Sequence, residues 1–154
     1  KYAEVFMKKF LVLCIMLVSI VALTSCKSSI ANANTTDGVK IEMQLNENYD
    51  DTEPFINEKL FCVSKDLENV TAKCELEMDG EIGILEIKNN KTSEVLWSNT
   101  WNGTVELTTF SISLDNLKKD DEYAVCFTGT GIKNAIISIS FENNYVQERE
   151  TPLK

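Results

Sequence analysis

The sequence predicts an all-β fold, an antiparallel sandwich of about eight strands, for residues 38–146. Three observations lead to this prediction. Apolar residues alternate with polar ones at a period of two, turn residues separate these runs at regular intervals, and no amphipathic helix follows residue 38. A period of two gives each strand one face for the core and one for solvent, as a sandwich requires.

The alternating runs can be followed in order along the chain. They are predicted at 39–45, 59–64, 72–78, 82–88, 93–101, 105–114, 123–128 and 135–141. Turns are supplied by Asp79-Gly80, Asn89-Asn90-Lys91, Asn102-Gly103 and Gly129-Thr130-Gly131. A β-bulge is expected near Thr108 and Thr109. The polar segment 147–154 is expected to be a loose tail.

The N-terminal segment has a different pattern, which indicates a signal peptide over residues 1–25. Two lysines follow Met7, and an uninterrupted apolar run occupies residues 10–23. This run is shorter than the roughly 20 apolar residues that span a bilayer, and small polar residues end it. A cleaved signal helix is therefore expected, and residues 1–6 are interpreted as an upstream extension. An uncleaved membrane helix stays open as the alternative.

The end of this segment, Leu23, Thr24, Ser25 and Cys26, resembles the lipobox of bacterial lipoproteins: an aliphatic residue, two small residues and a cysteine. In that family the cysteine thiol receives a diacylglyceryl group, and the signal peptide is cut immediately before it. The resemblance implies that Cys26 anchors the protein to the extracytoplasmic face of the cell membrane. Two or more acyl chains give stable anchoring, whereas one chain does not.

Residues 26–37 are expected to form the lipidated cysteine and a flexible linker, because they are small and polar without an apolar period. Removing residues 1–25 removes three lysines and one glutamate. This leaves 12 basic and 23 acidic residues, a net charge of −11. Such a domain repels phosphate backbones, so nucleic acid is not expected among its partners.

The chain contains no histidine. Histidine is the usual general base near neutral pH and the commonest metal ligand, so its absence excludes histidine-based triads and zinc sites. Acidic clusters at 48–53 and 120–122 offer oxygen atoms, but neither has the spacing of a calcium loop. No metal and no cofactor are expected, and the acids are interpreted as solvated loop charges.

One local motif narrows the fold. Leu117 lies six residues before Tyr123, which opens the alternating run 123–128. This arrangement resembles the tyrosine corner of Greek-key sandwiches, especially fibronectin type III-like modules, although the usual Pro-Gly is missing. In those modules the tyrosine hydroxyl bonds back to the upstream backbone. The resemblance implies an immunoglobulin-like sandwich and carries no function with it.

Three cysteines lie within the predicted sandwich. Cys62 and Cys74 are expected on neighbouring strands, where a disulfide could form outside the cytoplasm. The preferred interpretation is that they are free, buried thiols that act as small apolar side chains. Cys126 is expected on the face opposite Val125 and Phe127, either half exposed or covered by a second layer.

Trp97 and Trp101 are four residues apart on one predicted strand and therefore share a face. Side by side on a surface, they would form a stacking platform for sugar rings. The alternative is that they pack in the core and at its rim.

These patterns favour a membrane-anchored lipoprotein of the cell envelope whose sandwich is a non-catalytic binding or interaction module for a ligand that the sequence does not identify, either an envelope protein or a glycan. A glycan-binding module that uses Trp97 and Trp101 is the first alternative. A carboxylate-dependent hydrolase is the second, and it would need two carboxylates facing each other across a cleft.

Overall fold

The computed structural model describes residues 38–47 and 54–151, which form nine β-strands. The strands are β1 (Lys40–Asn46), β2 (Phe55–Val63), β3 (Leu67–Asp79), β4 (Ile82–Asn89), β5 (Val95–Asn102), β6 (Val105–Leu117), β7 (Glu122–Thr130), β8 (Asn134–Phe141) and β9 (Val146–Arg149). The predicted signal peptide, lipobox, Cys26 and linker lie outside the described residues.

No helix within residues 38–47 and 54–151 has the length and apolarity to cross a membrane.

The alternation in the sequence appears directly as alternating burial. In β1, Ile41, Met43 and Leu45 are buried while their neighbours are exposed. The same pattern holds along β3 and β4, whose inward residues meet between the sheets. Each strand therefore contributes one row of apolar side chains to a shared core.

The strands pair antiparallel in two sheets. One sheet has the order β1-β8-β3-β6 and the other has the order β5-β4-β7-β2-β9. The predicted antiparallel all-β sandwich is thereby confirmed. The two sheets place four strands at their outer edges, namely β1, β6, β5 and β9.

The order of the strands is that of a jelly roll, which is built from two Greek keys. In immunoglobulin-type sandwiches the first strand lies beside the second. Here β1 pairs with β8, and β2 pairs with β7. The finer expectation of an immunoglobulin-like strand order therefore differs from the observed order. Alternation specifies which face of a strand is buried but not which strand lies beside it.

Aromatic side chains join the two sheets at the centre of the core. Phe61 of β2 stacks on Tyr123 of β7, with ring centroids 5.3 Å apart, and contacts Phe141 of β8 at 5.1 Å. All three residues are almost fully buried. Since Phe141 belongs to the four-stranded sheet and the other two to the five-stranded sheet, this cluster fastens one layer to the other.

The tyrosine-corner hydrogen bond is present. The backbone N–H of Lys118 donates to the hydroxyl oxygen of Tyr123 at 2.7 Å. The bond spans the connection from β6 to β7, where the chain crosses from one sheet to the other. The sequence motif thus predicts this local contact correctly within a jelly-roll order of strands.

Removing the Tyr123 hydroxyl should destabilise this crossover. We expect Tyr123→Phe to lower the free energy of unfolding by about 1–2 kcal/mol, because the Lys118 N–H loses its acceptor. Urea denaturation followed by fluorescence measures the change. Tyr145→Phe, at a more exposed ring, serves as the control and should change stability by less than about 0.5 kcal/mol. Equal effects of the two substitutions would contradict the role of the bond.

Several boundaries differ from the predicted ones. β2 begins at Phe55 rather than at residue 59, and β3 begins at Leu67 rather than at residue 72. β6 is one strand, and its register against β3 shifts between Val105 and Thr108, close to the expected bulge. Hydrogen bonding to distant strands extends β2 and β3 beyond the segments in which apolar and polar residues alternate.

The C-terminal segment also departs from the expected loose tail. Residues 147–149 belong to β9, which pairs with residues 60–63 of β2. Val146 is buried, and the Arg149 guanidinium lies 3.6 Å from the Glu122 carboxylate. Three polar residues contain no alternation that could predict this strand. Residues 152–154 lie outside the described part of the chain.

Candidate binding surface

The two tryptophans lie where one side of the sandwich opens. β5 is the outer strand of its sheet, and in its ladder with β4 Trp97 lies opposite Ile87 and Trp101 opposite Gly83. Leu85 and Ile87 of β4 point into the core, so both tryptophans face inward, as predicted for residues that share a face. Each indole is half-buried.

Phe110 of β6 fills the space between the two tryptophans. Its ring centroid lies 5.8 Å from that of Trp97, with the planes at 16°, and 5.7 Å from that of Trp101, with the planes at 41°. Phe110 belongs to the opposite sheet, so these contacts close the side of the sandwich between β5 and β6. The packing interpretation of the tryptophans describes this arrangement better than two open stacking platforms.

Exposed polar residues accompany the aromatic rings. Ser98, Asn99 and Thr100 lie between the tryptophans on β5, and all three are exposed. We call this group, together with Trp97, Trp101 and Phe110, the aromatic edge. It combines indole rims with hydroxyl and amide groups and so suits contact with another molecule.

The aromatic edge differs from the other sheet edges in its charge. The eight residues of β5, VLWSNTWN, include no charged side chain and no proline. The other edge strands each carry charges: Lys40 and Glu42 in β1, Glu106 and Asp115 in β6, and Glu148 and Arg149 in β9. Charges on an edge strand oppose pairing with another chain, so β5 is the least protected edge in the described part of the chain.

Two of the three cysteines, Cys62 and Cys74, are further apart in the fold than expected. Cys62 lies on β2 and Cys74 on β3, which belong to different sheets, so the prediction of neighbouring strands is wrong. Cys62, Cys74 and Cys126 are all free and buried, which agrees with the preferred interpretation. The pattern of alternation could not reveal that the chain changes sheets between β2 and β3.

Cys126 is buried on the outer face of the five-stranded sheet. It lies opposite Glu58 on one side and Glu86 on the other. The Lys88 ammonium reaches Glu58 at 2.6 Å and so links β4 to β2 across the central strand β7. The Lys88 and Glu58 side chains interact with the thiol, and long charged residues can bury their carbon chains while their charged ends stay in water.

The thiols are poor nucleophiles in this setting. Burial raises the pKa of Cys74 to about 12, and the neighbouring Glu75 carboxylate adds to the increase. Burial also raises the pKa of Cys126, although the Lys88 ammonium opposes the change. Both groups therefore stay protonated near neutral pH, whereas the thiolate is the reactive form.

We expect iodoacetamide at pH 8 to leave Cys74 and Cys126 unmodified in the folded protein and to modify both in urea. Burial and a raised pKa each suppress the reaction. Mass spectrometry of the digested protein measures modification at each cysteine. A Gln44→Cys variant supplies an exposed reference thiol on β1. Modification of Cys74 as fast as that reference would contradict the prediction.

The acidic segment at 120–122 has a structural role. The Glu122 carboxylate is buried, accepts a hydrogen bond from the Asn90 side-chain amide at 2.6 Å, and faces Arg149. Asp121 accepts a bond from the Asn89 amide at 3.0 Å. These contacts tie the turn after β4 and the strand β9 to the start of β7. The other cluster, at 48–53, lies outside the described residues.

Among the residues that the structure describes, no group of three or more acidic or cysteine side chains is placed to hold a metal ion.

A small groove of about 250 Å³ lies along the pairing of β2 with β9. Its lining residues are Glu58, Lys59, Leu60, Glu148, Arg149 and Glu150. Glu58 is paired with Lys88, and Glu148 lies 4.0 Å from the Lys59 ammonium. These ion pairs occupy two of the three groove carboxylates and leave Glu150 as the third, so the groove offers little support for the carboxylate-dependent hydrolase considered above.

Comparison with known families gives a match over most of the chain. The family model described as Domain of unknown function (DUF4624) matches residues 24–153, most of the chain. The matched region begins at Thr24, two residues before the cysteine of the predicted lipobox. A comparison with curated protein sequences gives no significant match.

Proposed function

We propose that this chain, which belongs to the family described as Domain of unknown function (DUF4624), is a lipoprotein on the extracytoplasmic face of the cell membrane. Its sandwich is a non-catalytic binding module held by lipid on Cys26. Its contact surface is the aromatic edge. The observation that carries the binding role is the absence of charge on β5, while the other edge strands carry charges.

The anchoring role is supported by the order of features along the N-terminal sequence. Two lysines, an apolar run and the sequence Leu23-Thr24-Ser25-Cys26 follow one another as in lipoprotein signal peptides. The family match begins at Thr24 and leaves the apolar run outside. This boundary lies two residues before the predicted cleavage site, as expected if relatives share the mature protein rather than the apolar run.

The non-catalytic role is supported by the state of the reactive side chains. The buried thiols have raised pKa values, and the buried carboxylate of Glu122 is held by Asn90 and Arg149. The thiols and the Glu122 carboxylate therefore serve packing and the attachment of strands. The exposed side chains of the aromatic edge are available for contact with another molecule.

The contact surface can be tested by photo-cross-linking in intact cells. With p-benzoylphenylalanine in place of Thr100, we expect an adduct after irradiation, because this exposed position lies in the aromatic edge. Thr71, exposed on the central strand β3 of the other sheet, is the control and should give none. Adducts of equal yield at both positions, or none at Thr100, would overturn the proposed surface.

A glycan is the second candidate ligand, and one observation favours it. The uncharged amide of Asn99 lies between two half-buried tryptophans on one face of β5, and the hydroxyl groups of Ser98 and Thr100 flank it on the other face. Sugar recognition combines such groups with aromatic rings. Cell-wall polysaccharide added to the protein should then shift the tryptophan emission, and Trp101→Phe should reduce the shift. If the polysaccharide leaves the tryptophan emission unchanged, a glycan is not the ligand.

A further inference from the structure

The outer side of β5 carries a row of backbone groups that face no other strand in the described part of the chain. β5 pairs with β4 on its inner side and ends the order of the five-stranded sheet. β6 touches it from the opposite sheet through side chains rather than through a ladder. Eight residues of strand are thus available to accept another strand.

Charge limits which chain can occupy this position. The protein has a net charge of −9, so two copies repel each other over most of their surfaces. The absence of charge along β5 removes this repulsion at one edge. At the other edge strands, antiparallel pairing with a second copy would bring charged side chains to the interface.

The side chains of β5 are arranged symmetrically about Asn99. Trp97 and Trp101 lie two residues on either side, and Ser98 and Thr100 lie one residue on either side. If two copies of β5 pair antiparallel with Asn99 on the twofold axis, Trp97 lies opposite Trp101 of the second copy. Ser98 then lies opposite Thr100. Paired residues share a face, so the indoles meet on the inner side and the hydroxyl groups on the outer side.

We infer that the aromatic edge binds a second copy of this chain, by antiparallel pairing of β5 with β5 about Asn99, to form a continuous ten-stranded sheet. This inference rests on the proposed role of the aromatic edge as a contact surface. A closed twofold contact of this kind gives a dimer and leaves no unpaired β5 edge to recruit further copies. The dimer buries more of the surface of the half-buried indoles, because each packs against an indole of the second copy.

Cysteine cross-linking tests the register. In membranes that contain the full-length protein, Asn99→Cys should form a disulfide-linked dimer of twice the monomer mass on mild oxidation, since residue 99 meets itself on the axis. The cysteines of the described sandwich are buried and should contribute little. Gln44→Cys, exposed on the edge strand β1, is the matched control and should stay monomeric. Equal dimer yields at the two positions, or no dimer at position 99, would overturn the inference.

A charge placed on the axis supplies the second test. Asn99→Glu sets two carboxylates against each other and should lower the dimer fraction by about tenfold or more. The fraction is measured by amine cross-linking of the full-length protein in membranes. Asn99→Gln keeps the amide and should preserve the dimer. Unchanged dimer yield with Asn99→Glu, at an unchanged melting temperature, would overturn the pairing.

The photo-adduct at Thr100 separates the two proposals. An adduct between two differently tagged copies of this chain supports the dimer. An adduct with a different molecule overturns the dimer but keeps the aromatic edge as the contact surface. Absence of any adduct overturns both.

Discussion

Replacing Cys26 with alanine should abolish lipid attachment and remove the mature form from the membrane fraction. Without the thiol, no diacylglyceryl group can be added, and the protein should accumulate as unprocessed precursor or in the soluble fraction. The expected loss is nearly complete, because each buried methylene of an acyl chain contributes about 0.8 kcal/mol to membrane binding. Incorporation of radiolabelled palmitate, together with fractionation of the cells, measures the effect.

The chain contains a matched control for this experiment. Cys14 lies in the middle of the apolar run, and Cys14→Ala leaves the run apolar and the predicted lipobox intact. That variant should be labelled and retained at the membrane like the parent protein. If the Cys26→Ala protein were still processed and membrane-bound, the proposed anchor would be wrong.

Replacing Phe61 with alanine should have the largest effect on stability. The side chain is fully buried and contacts Tyr123 of its own sheet and Phe141 of the other sheet. Its loss removes apolar contacts and leaves a cavity between the layers, at a cost of about 3–5 kcal/mol for Phe→Ala substitutions in a core. Since small domains have total free energies of unfolding of about 5–15 kcal/mol, this substitution should remove a large part of the stability of the fold.

Ile56 of the same strand provides the comparison. Its side chain is 57% exposed on the outer face of the five-stranded sheet, so Ile56→Ala should change the free energy of unfolding by less than about 0.5 kcal/mol. Both variants are measured by urea denaturation of the same protein preparation. A difference of less than about 1 kcal/mol between them would show that Phe61 does not join the sheets as the structure indicates.

Some features of the candidate binding surface follow from the alternation of apolar and polar residues in the sequence, and others do not. Four residues of separation place Trp97 and Trp101 on one face of a strand whatever the strand's partners are. That β5 ends its sheet, and that Phe110 of the opposite sheet packs between the indoles, depends on the order of the strands. The exposed neighbours and missing charges of β5 are visible in the sequence, but they matter only once β5 is known to be an edge.

The cysteines illustrate the same division. Their burial follows from apolar positions in strands, whereas the expected pairing of Cys62 with Cys74 assumed that consecutive strands are neighbours. In the observed order, β2 and β3 belong to different sheets. Likewise, the three polar residues of β9 pair with β2 through backbone groups. Backbone hydrogen bonding does not depend on side-chain alternation, so it leaves no such pattern in the sequence.

By itself, the sequence determined the all-β class, the inward and outward faces of most strands, and the tyrosine-corner contact between Tyr123 and Lys118. Each of these depends on residues close together in the chain, where a period of two or a short spacing carries the information. Only the tertiary structure decided the jelly-roll order, the ninth strand, the separation of Cys62 from Cys74 and the exposure of the β5 edge. These features depend on pairing between distant segments, and the free energy of that pairing is shared among residues that no local pattern connects.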